Sequence, residues 1–274
     1  MSRPSRLVLL GHPVSHSFSP GMQNAALIAA DIPVRYSAQD VAPEDLKETL
    51  LTLANEGAAG NITIPHKEAA ARVMSRLTPL AERIGAINTF YVSADGVLVG
   101  DNTDVAGFQE LVTSVLGTIP VGARFDVVGA GGAAAAVLAA IQGWEGCTAT
   151  IYARNENRAA ALARRFSDVA SAKSMTGVKQ LVGDIVVNAT PVGLNGDEMP
   201  VRPDSLARDS VVLDLICKAD ETAWVRSARE DGHVASDGFP MLLGQGAAAF
   251  EIWFGIQPDR EAMWRDLRQQ RQEM

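Results

Sequence analysis

Short apolar runs alternate with amphipathic stretches over the first hundred residues, and from residue 124 the alternation becomes regular. Residues 6–10 read as a strand, and Ser19-Pro20 opens a helix to about residue 30, with the serine as cap and the proline in the first turn. A second helix is expected over 43–55, where Leu46, Leu50 and Leu53 share one face and Gly57 follows the end. Residues 61–64 read as a strand and Thr78-Pro79 starts another helix. Residues 87–92 and 97–100 form a hairpin around Asp95-Gly96. The chain turns helical again from Thr103.

Beyond that point strands are expected at 124–128, 148–152, 184–188, 210–216 and 233–236, separated mainly by helical segments. This is the pattern of a parallel, doubly wound sheet. Helices over 241–254 and 259–272 have no later strand to cross to, so they are expected to return to the first domain.

The chain has 274 residues, 47% of them hydrophobic, which suffices for one large or two ordinary cores. A formal net charge of −8 argues against a nucleic-acid or anionic-membrane partner, since both favour a basic face. With only Cys147 and Cys217, and no amino-terminal apolar run beyond residues 7–10, neither a disulfide framework nor a signal peptide is expected. No apolar stretch approaches the roughly 20 residues that cross a bilayer. A cytoplasmic location follows as the expectation, with a small-molecule ligand rather than a nucleic acid or membrane.

One local pattern points to that ligand. Gly129-Ala130-Gly131-Gly132-Ala133-Ala134 fits G-x-G-x-x-A, follows the expected strand ending at Val128 and precedes an alanine-rich helix. Such a turn lets the backbone approach a pyrophosphate at a helix N-terminus. The expected class is therefore α/β in two domains: an N-terminal α/β substrate domain at 1–102 and a Rossmann-like doubly wound parallel sheet at 103–237. Carboxy-terminal helices at 238–274 would pack on the first domain. After the next strand, where an NAD site offers an acid to the ribose, the chain has Ala153-Arg154-Asn155, with Arg158 one turn later. These arginines suit a 2′-phosphate and favour NADP, although a solvated helix start is a duller reading of the same residues.

Two polar clusters lie in the leading segment, Gly60-Asn61-Ile62-Thr63-Ile64-Pro65-His66-Lys67 and Gly100-Asp101-Asn102-Thr103-Asp104. Alone, Lys67 suits a helix-start lysine and Asp104 a helix cap. His12, His16, His66 and His233 lack metal-ligand spacing and read as backbone or loop partners, so no metal is indicated.

Together with G-H-P-V-S-H-S-F-S-P at 11–20, G-A-I-N-T at 85–89, N-A-T-P-V-G at 188–193 and G-F-P-M-L-L-G-Q-G-A at 238–247, these motifs resemble the shikimate dehydrogenase family over residues 11–255. The resemblance implies NADPH-dependent, reversible reduction of 3-dehydroshikimate to shikimate in aromatic amino acid biosynthesis. It implies that Ser17 and Ser19 hold the substrate carboxylate, and that Asn61, Thr63, Asn88, Asp104 and Gln245 hold the ring hydroxyls. Lys67 and Asp104 would flank the reacting oxygen as the catalytic pair. Gly129, Ala130, Gly131, Gly132, Ala133, Arg154, Arg158, Asn188, Thr190, Gly238 and Met241 would line the cofactor. Hydride transfer to a ketone leaves an alkoxide, beside which a lysine ammonium supplies both a cation and a proton. One departure stands out: where the family usually carries D-x-x-Y, with the tyrosine near the substrate carboxylate, this chain has Asp214-Leu215-Ile216-Cys217. Cysteine is the weaker donor, so a quinate or aminoshikimate-type dehydrogenase of the same superfamily is the alternative. A folate-linked dehydrogenase fits the serine and Asn-Thr-Asp clusters less well, and a nucleotide-sensing regulator without turnover would not need the Lys67/Asp104 pair. A monomer or a homodimer is expected.

Overall fold

The computed structural model describes residues 3–273. They form two compact units, one comprising the chain up to Asp104 and again from Leu243, the other Val105–Leu242. The sequence suggested breaks after residues 102 and 237.

In the first unit the elements are β1 (Leu7–Gly11), α1 (Ser19–Ala29), β2 (Tyr36–Asp40), α2 (Leu46–Asn55), β3 (Ala59–Ile62), α3 (Lys67–Ala71), β4 (Arg76–Leu77), α4 (Pro79–Ile84), β5 (Thr89–Val92) and β6 (Leu98–Asp101). Their sheet has the order β2-β1-β3-β5-β6-β4. β1 runs parallel to β2 and β3, whereas β5 is antiparallel to both β3 and β6. Every residue of β1 is buried, as its unbroken Leu-Val-Leu-Leu run requires of a strand covered on both faces. Val8, Leu10, Ile62, Phe90 and Leu98 meet Leu46, Leu50 and Leu53 of α2 in one core.

Three expectations shift here. Ser19 is the first residue of α1 and not its cap: Phe18 occupies the cap position, and the Ser17 hydroxyl accepts from the Ser19 N–H at 3.2 Å. The strand placed at 61–64 begins at Ala59, because Gly60 is a strand interior in which any Cβ would collide with the Val8 carbonyl oxygen. α2 starts at Leu46, three residues inside the expected span.

In the second unit α5 (Asp104–Leu116), whose first residue belongs to the first unit, precedes β7 (Arg124–Val128), α6 (Gly132–Gln142), β8 (Thr148–Ala153), α7 (Glu156–Arg165), β9 (Ala170–Ser174), β10 (Ile185–Asn188), β11 (Val211–Asp214), α8 (Ala223–Glu230) and β12 (Ala235–Ser236). The order β12-β11-β10-β7-β8-β9 is parallel throughout. α9 (Phe239–Phe254) leads the chain back, and α10 (Arg260–Glu273) packs on α1, where Gln270 Nε2 donates to the Phe18 carbonyl at 3.2 Å. Among the described residues no helix is long and apolar enough to cross a membrane.

Candidate active site

The topology of the first sheet gathers its polar residues at one edge. β1 and β3 are parallel neighbours, so the loops bearing Ser17 and Thr63 leave from the same side. Asn88 enters the antiparallel β5 there, and β6 delivers Asp101 to Asp104 there, since Thr89 pairs with both Asn61 and Asp101.

The loop from β3 to α3 is tightly held. Thr63 N–H donates to the Leu10 carbonyl at 2.8 Å, His66 N–H donates to the Thr63 carbonyl at 2.9 Å, and the buried His66 ring meets the Val41 carbonyl at 2.8 Å. Lys67 opens α3, and its own carbonyl accepts from Ile87 N–H at 3.0 Å. Opposite, buried Asn102 donates to the Ala86 carbonyl and accepts from Asp104 N–H, both at 3.0 Å, so it sets the start of α5.

Lys67 Nζ then lies 2.5 Å from Asp104 Oδ2. The carboxylate is 4% exposed and the lysine side chain 20%. A carboxylate buried to that degree requires partners for both oxygens, and the second, Oδ1, accepts from Asn88 Nδ2 at 2.8 Å. Its place at a helix N-terminus adds a favourable dipole. Asn88 is locked in turn, its Oδ1 accepting from Thr103 N–H at 2.7 Å while Nδ2 also reaches Gln245 Oε1 of α9 at 3.1 Å.

Lys67, Asp104, Asn88 and Gln245 are therefore joined by direct hydrogen bonds. Ser17 and Thr63 are half-buried and Ser19 is buried; the Thr63 methyl stands 2.5 Å from where a Cβ on Gly11 would fall, so that glycine makes room for it. Asn61, expected on a ring hydroxyl, has three protein partners of its own. Its Nδ2 donates to the Asn88 carbonyl and to Thr89 Oγ1, each at 3.0 Å, and its Oδ1 accepts from the Tyr36 hydroxyl at 2.8 Å. Through these bonds the Asn61 side chain braces Asn88. Tyr36 leaves no motif in the sequence, and Thr89 only closes G-A-I-N-T; the strand register reveals what each touches.

In the second unit the glycine turn has the form its pattern predicts. Gly129 has φ +123°, and a Cβ there would lie 2.7 Å from the Ala189 carbonyl oxygen, so both conformation and space demand glycine. Gly131 caps α6 in extended conformation without a side-chain cap bond, and a Cβ there would meet nothing within 4 Å. The start of α6 thus has no side-chain cap and open space beside Gly131, which fits a pyrophosphate at the helix N-terminus. Ala130, Gly132 and Ala133 complete the turn and the first helical residues. Arg154 follows the end of β8 and Arg158 lies on α7; both are exposed, and Asn155 between them caps α7 by accepting from Arg158 N–H at 3.0 Å.

Asn188 is fully buried and donates to Asp214 Oδ1 at 2.9 Å and to the Val192 carbonyl at 3.2 Å, while accepting from the Thr190 hydroxyl at 2.6 Å. Its side chain holds the turn after β10, in the segment where the sequence placed Asn188 and Thr190 beside the cofactor. Burial pushes the Asp214 carboxyl up to about 6, against the lowering effect of donors from Thr222, Ile216 N–H and Asn188. Asp214 ends β11 and so anchors the segment leading to Cys217. Gly238 packs against that segment: a Cβ there would meet the Leu215 carbonyl oxygen at 2.6 Å and Cys217 Sγ at 3.0 Å. Met241 is buried in α9.

Residues 9–90 match the model of the shikimate dehydrogenase substrate binding domain, and residues 238–268 that of the shikimate 5′-dehydrogenase C-terminal domain. The chain is 40% identical over 268 residues to the shikimate dehydrogenase (NADP(+)) of Rubrobacter xylanophilus, covering 94% of each chain. The chain belongs to the shikimate dehydrogenase family. The Thermus thermophilus shikimate 5-dehydrogenase, solved in complex with NADP(H) and shikimate, superposes with a TM-score of 0.86 at 35% identity, over 97% of this chain and 99% of that one. The 5-ketofructose reductase of a Gluconobacter species reaches the same TM-score at 29% identity, over 98% and 99%. Within this family the architecture does not by itself fix the substrate.

Proposed function

We propose that this member of the shikimate dehydrogenase family catalyses the reversible, NADP-linked reduction of 3-dehydroshikimate to shikimate. The observation that carries the reading is the Lys67–Asp104 pair, braced by Asn88 at the polar edge of the first sheet. NADPH, when bound, supplies the hydride. The Gly129–Ala133 turn would hold its pyrophosphate and Arg154, with Arg158, its 2′-phosphate.

The chain's own part begins with orientation. Ser17 would receive the carboxylate, with Thr63, Asn88 and Gln245 on the ring hydroxyls; these are hydroxyl and amide partners suited to a small polyhydroxy acid. Lys67 lies beside the ketone oxygen in this reading and gives it a proton as negative charge develops there. Asp104 holds Nζ in place and balances its charge. Because the lysine keeps some exposure, solvent restores its proton after each turnover; in the oxidation direction Lys67 accepts the hydroxyl proton instead. The reading goes with a cytoplasmic location, a small-molecule substrate and a monomer or homodimer.

Cys217 in place of the family's tyrosine leaves carboxylate binding to the serines and makes quinate the second substrate to test. Steady-state rates with shikimate and quinate against NADP and NAD decide the matter. Shikimate with NADP is expected to give the highest kcat/KM; absence of shikimate oxidation would overturn the reading.

A further inference from the structure

We propose that Tyr36, acting through Asn61 and Thr89, is a positioning residue for the catalytic pair: its hydroxyl closes a buried relay of hydrogen bonds that ends on the Asp104 carboxylate. The inference rests on Asp104 and Lys67 working as described above. Tyr36, Asn61, Thr89, Asn88, Thr103 and Asp104 are all buried polar groups, so each donor and acceptor among them needs a protein partner.

Backbone groups that can only donate or only accept fix both amide orientations in the relay. Asn24 of α1 grips both backbone groups of Tyr36, at 2.9 and 3.0 Å, and the ring packs on Trp253 with centroids 6.1 Å apart. Burial pushes the phenol above its usual range, so the hydroxyl keeps its proton and serves Asn61 Oδ1 as a donor. On its other side Asn61 faces the Asn88 carbonyl, which can only accept, so Nδ2 must point there. The second Nδ2 hydrogen goes to Thr89 Oγ1, and the Thr89 hydroxyl donates onward to Asn88 Oδ1 at 3.0 Å. Thr103 N–H, which can only donate, meets the same oxygen. Asn88 is left with Nδ2 toward Asp104 Oδ1, and that fixes the carboxylate whose other oxygen holds Lys67.

Without the Tyr36 hydroxyl, Asn61 Oδ1 loses its donor in a buried place, and Asn61, Thr89 and Asn88 gain freedom to shift. Tyr36→Phe keeps the ring and its packing, which makes it the test. The expected result is a fall of about three- to tenfold in kcat/KM for the acid substrate, the scale of one neutral hydrogen bond, with KM for NADP unchanged. In an Asn88→Ala background the same substitution is expected to cost nothing further, since it acts through Asn88. Thr89→Val cuts the relay at its middle link, must give the same split, and decides the matter alone if the phenylalanine variant does not fold. Wild-type kinetics in a folded variant, equal rises in both KM values, or additive losses would overturn the proposal. The assay uses whichever of shikimate or quinate the wild-type enzyme oxidises, so failure of the shikimate assignment and failure of the relay register separately.

Discussion

Replacing Asp104 by asparagine changes almost no volume and isolates what the carboxylate does. Its Oδ2 accepts from Lys67 at 2.5 Å and its Oδ1 from Asn88 at 2.8 Å, so both oxygens serve as acceptors. An amide offers one oxygen. If that oxygen turns to Lys67, the new NH2 group meets the Asn88 amide, which cannot flip because Thr103 N–H already donates to its Oδ1. If it turns to Asn88, the NH2 group meets the lysine ammonium. Either way one charge-assisted bond is lost, worth about 1.5 to 3 kcal/mol, and a donor faces a donor. If that interaction acts in the transition state, kcat/KM for shikimate falls by about 10- to 150-fold. Initial rates of NADP reduction over a matrix of both substrates give kcat and both KM values, with circular dichroism to show that the variant is folded. The reasoning fails if the folded variant keeps kcat/KM within about threefold of wild type, or if KM for NADP rises in step with that for shikimate.

Arg154→Ala is expected to weaken NADP by about ten- to a hundredfold while leaving NAD kinetics nearly unchanged; equal losses for the two cofactors would remove the 2′-phosphate role. Asp214 gives a prediction for stability. With its native value at about 6, above the ordinary 3.8, the native state holds this proton more tightly than the unfolded chain, so its stabilising contribution is full below about pH 4 and is lost as pH rises through 6. Between pH 5 and 7.5 the wild-type advantage over Asp214→Asn is expected to shrink by about 1.4 kcal/mol in urea unfolding, and an advantage that grows with pH would contradict the assignment.

The fully covered strands were the legible part of the fold. β1, β10 and β11 carry apolar runs because both faces of each are largely packed, and such runs are hard to mistake once turn residues bound them. β2 and β9 were not foreseen. Both are edge strands: only Tyr36 of β2 is buried, and no residue of Ala-Ser-Ala-Lys-Ser in β9 is, so neither leaves a hydrophobic pattern. The same contrast holds at the site. Lys67, Asp104 and the glycine turn sit in compact local motifs and fall where those motifs predict. Asn61 and Asn188 also sit in motifs, yet a motif does not say which way an amide faces. The partners that decide it are Tyr36, on β2 across the intervening β1, and Asp214, on the adjacent β11; they lie 25 and 26 residues away, and only the sheet order and register bring them within reach.

The central claim is that Lys67 is the proton donor and acceptor for the reacting oxygen, and the kcat of Lys67→Ala in NADP-dependent shikimate oxidation tests it most directly. A folded variant is expected to lose about 100-fold or more in kcat with a smaller change in the shikimate KM, because the lysine acts chiefly in the transition state. Turnover near that of the wild-type enzyme would contradict the account and move the proton to another group.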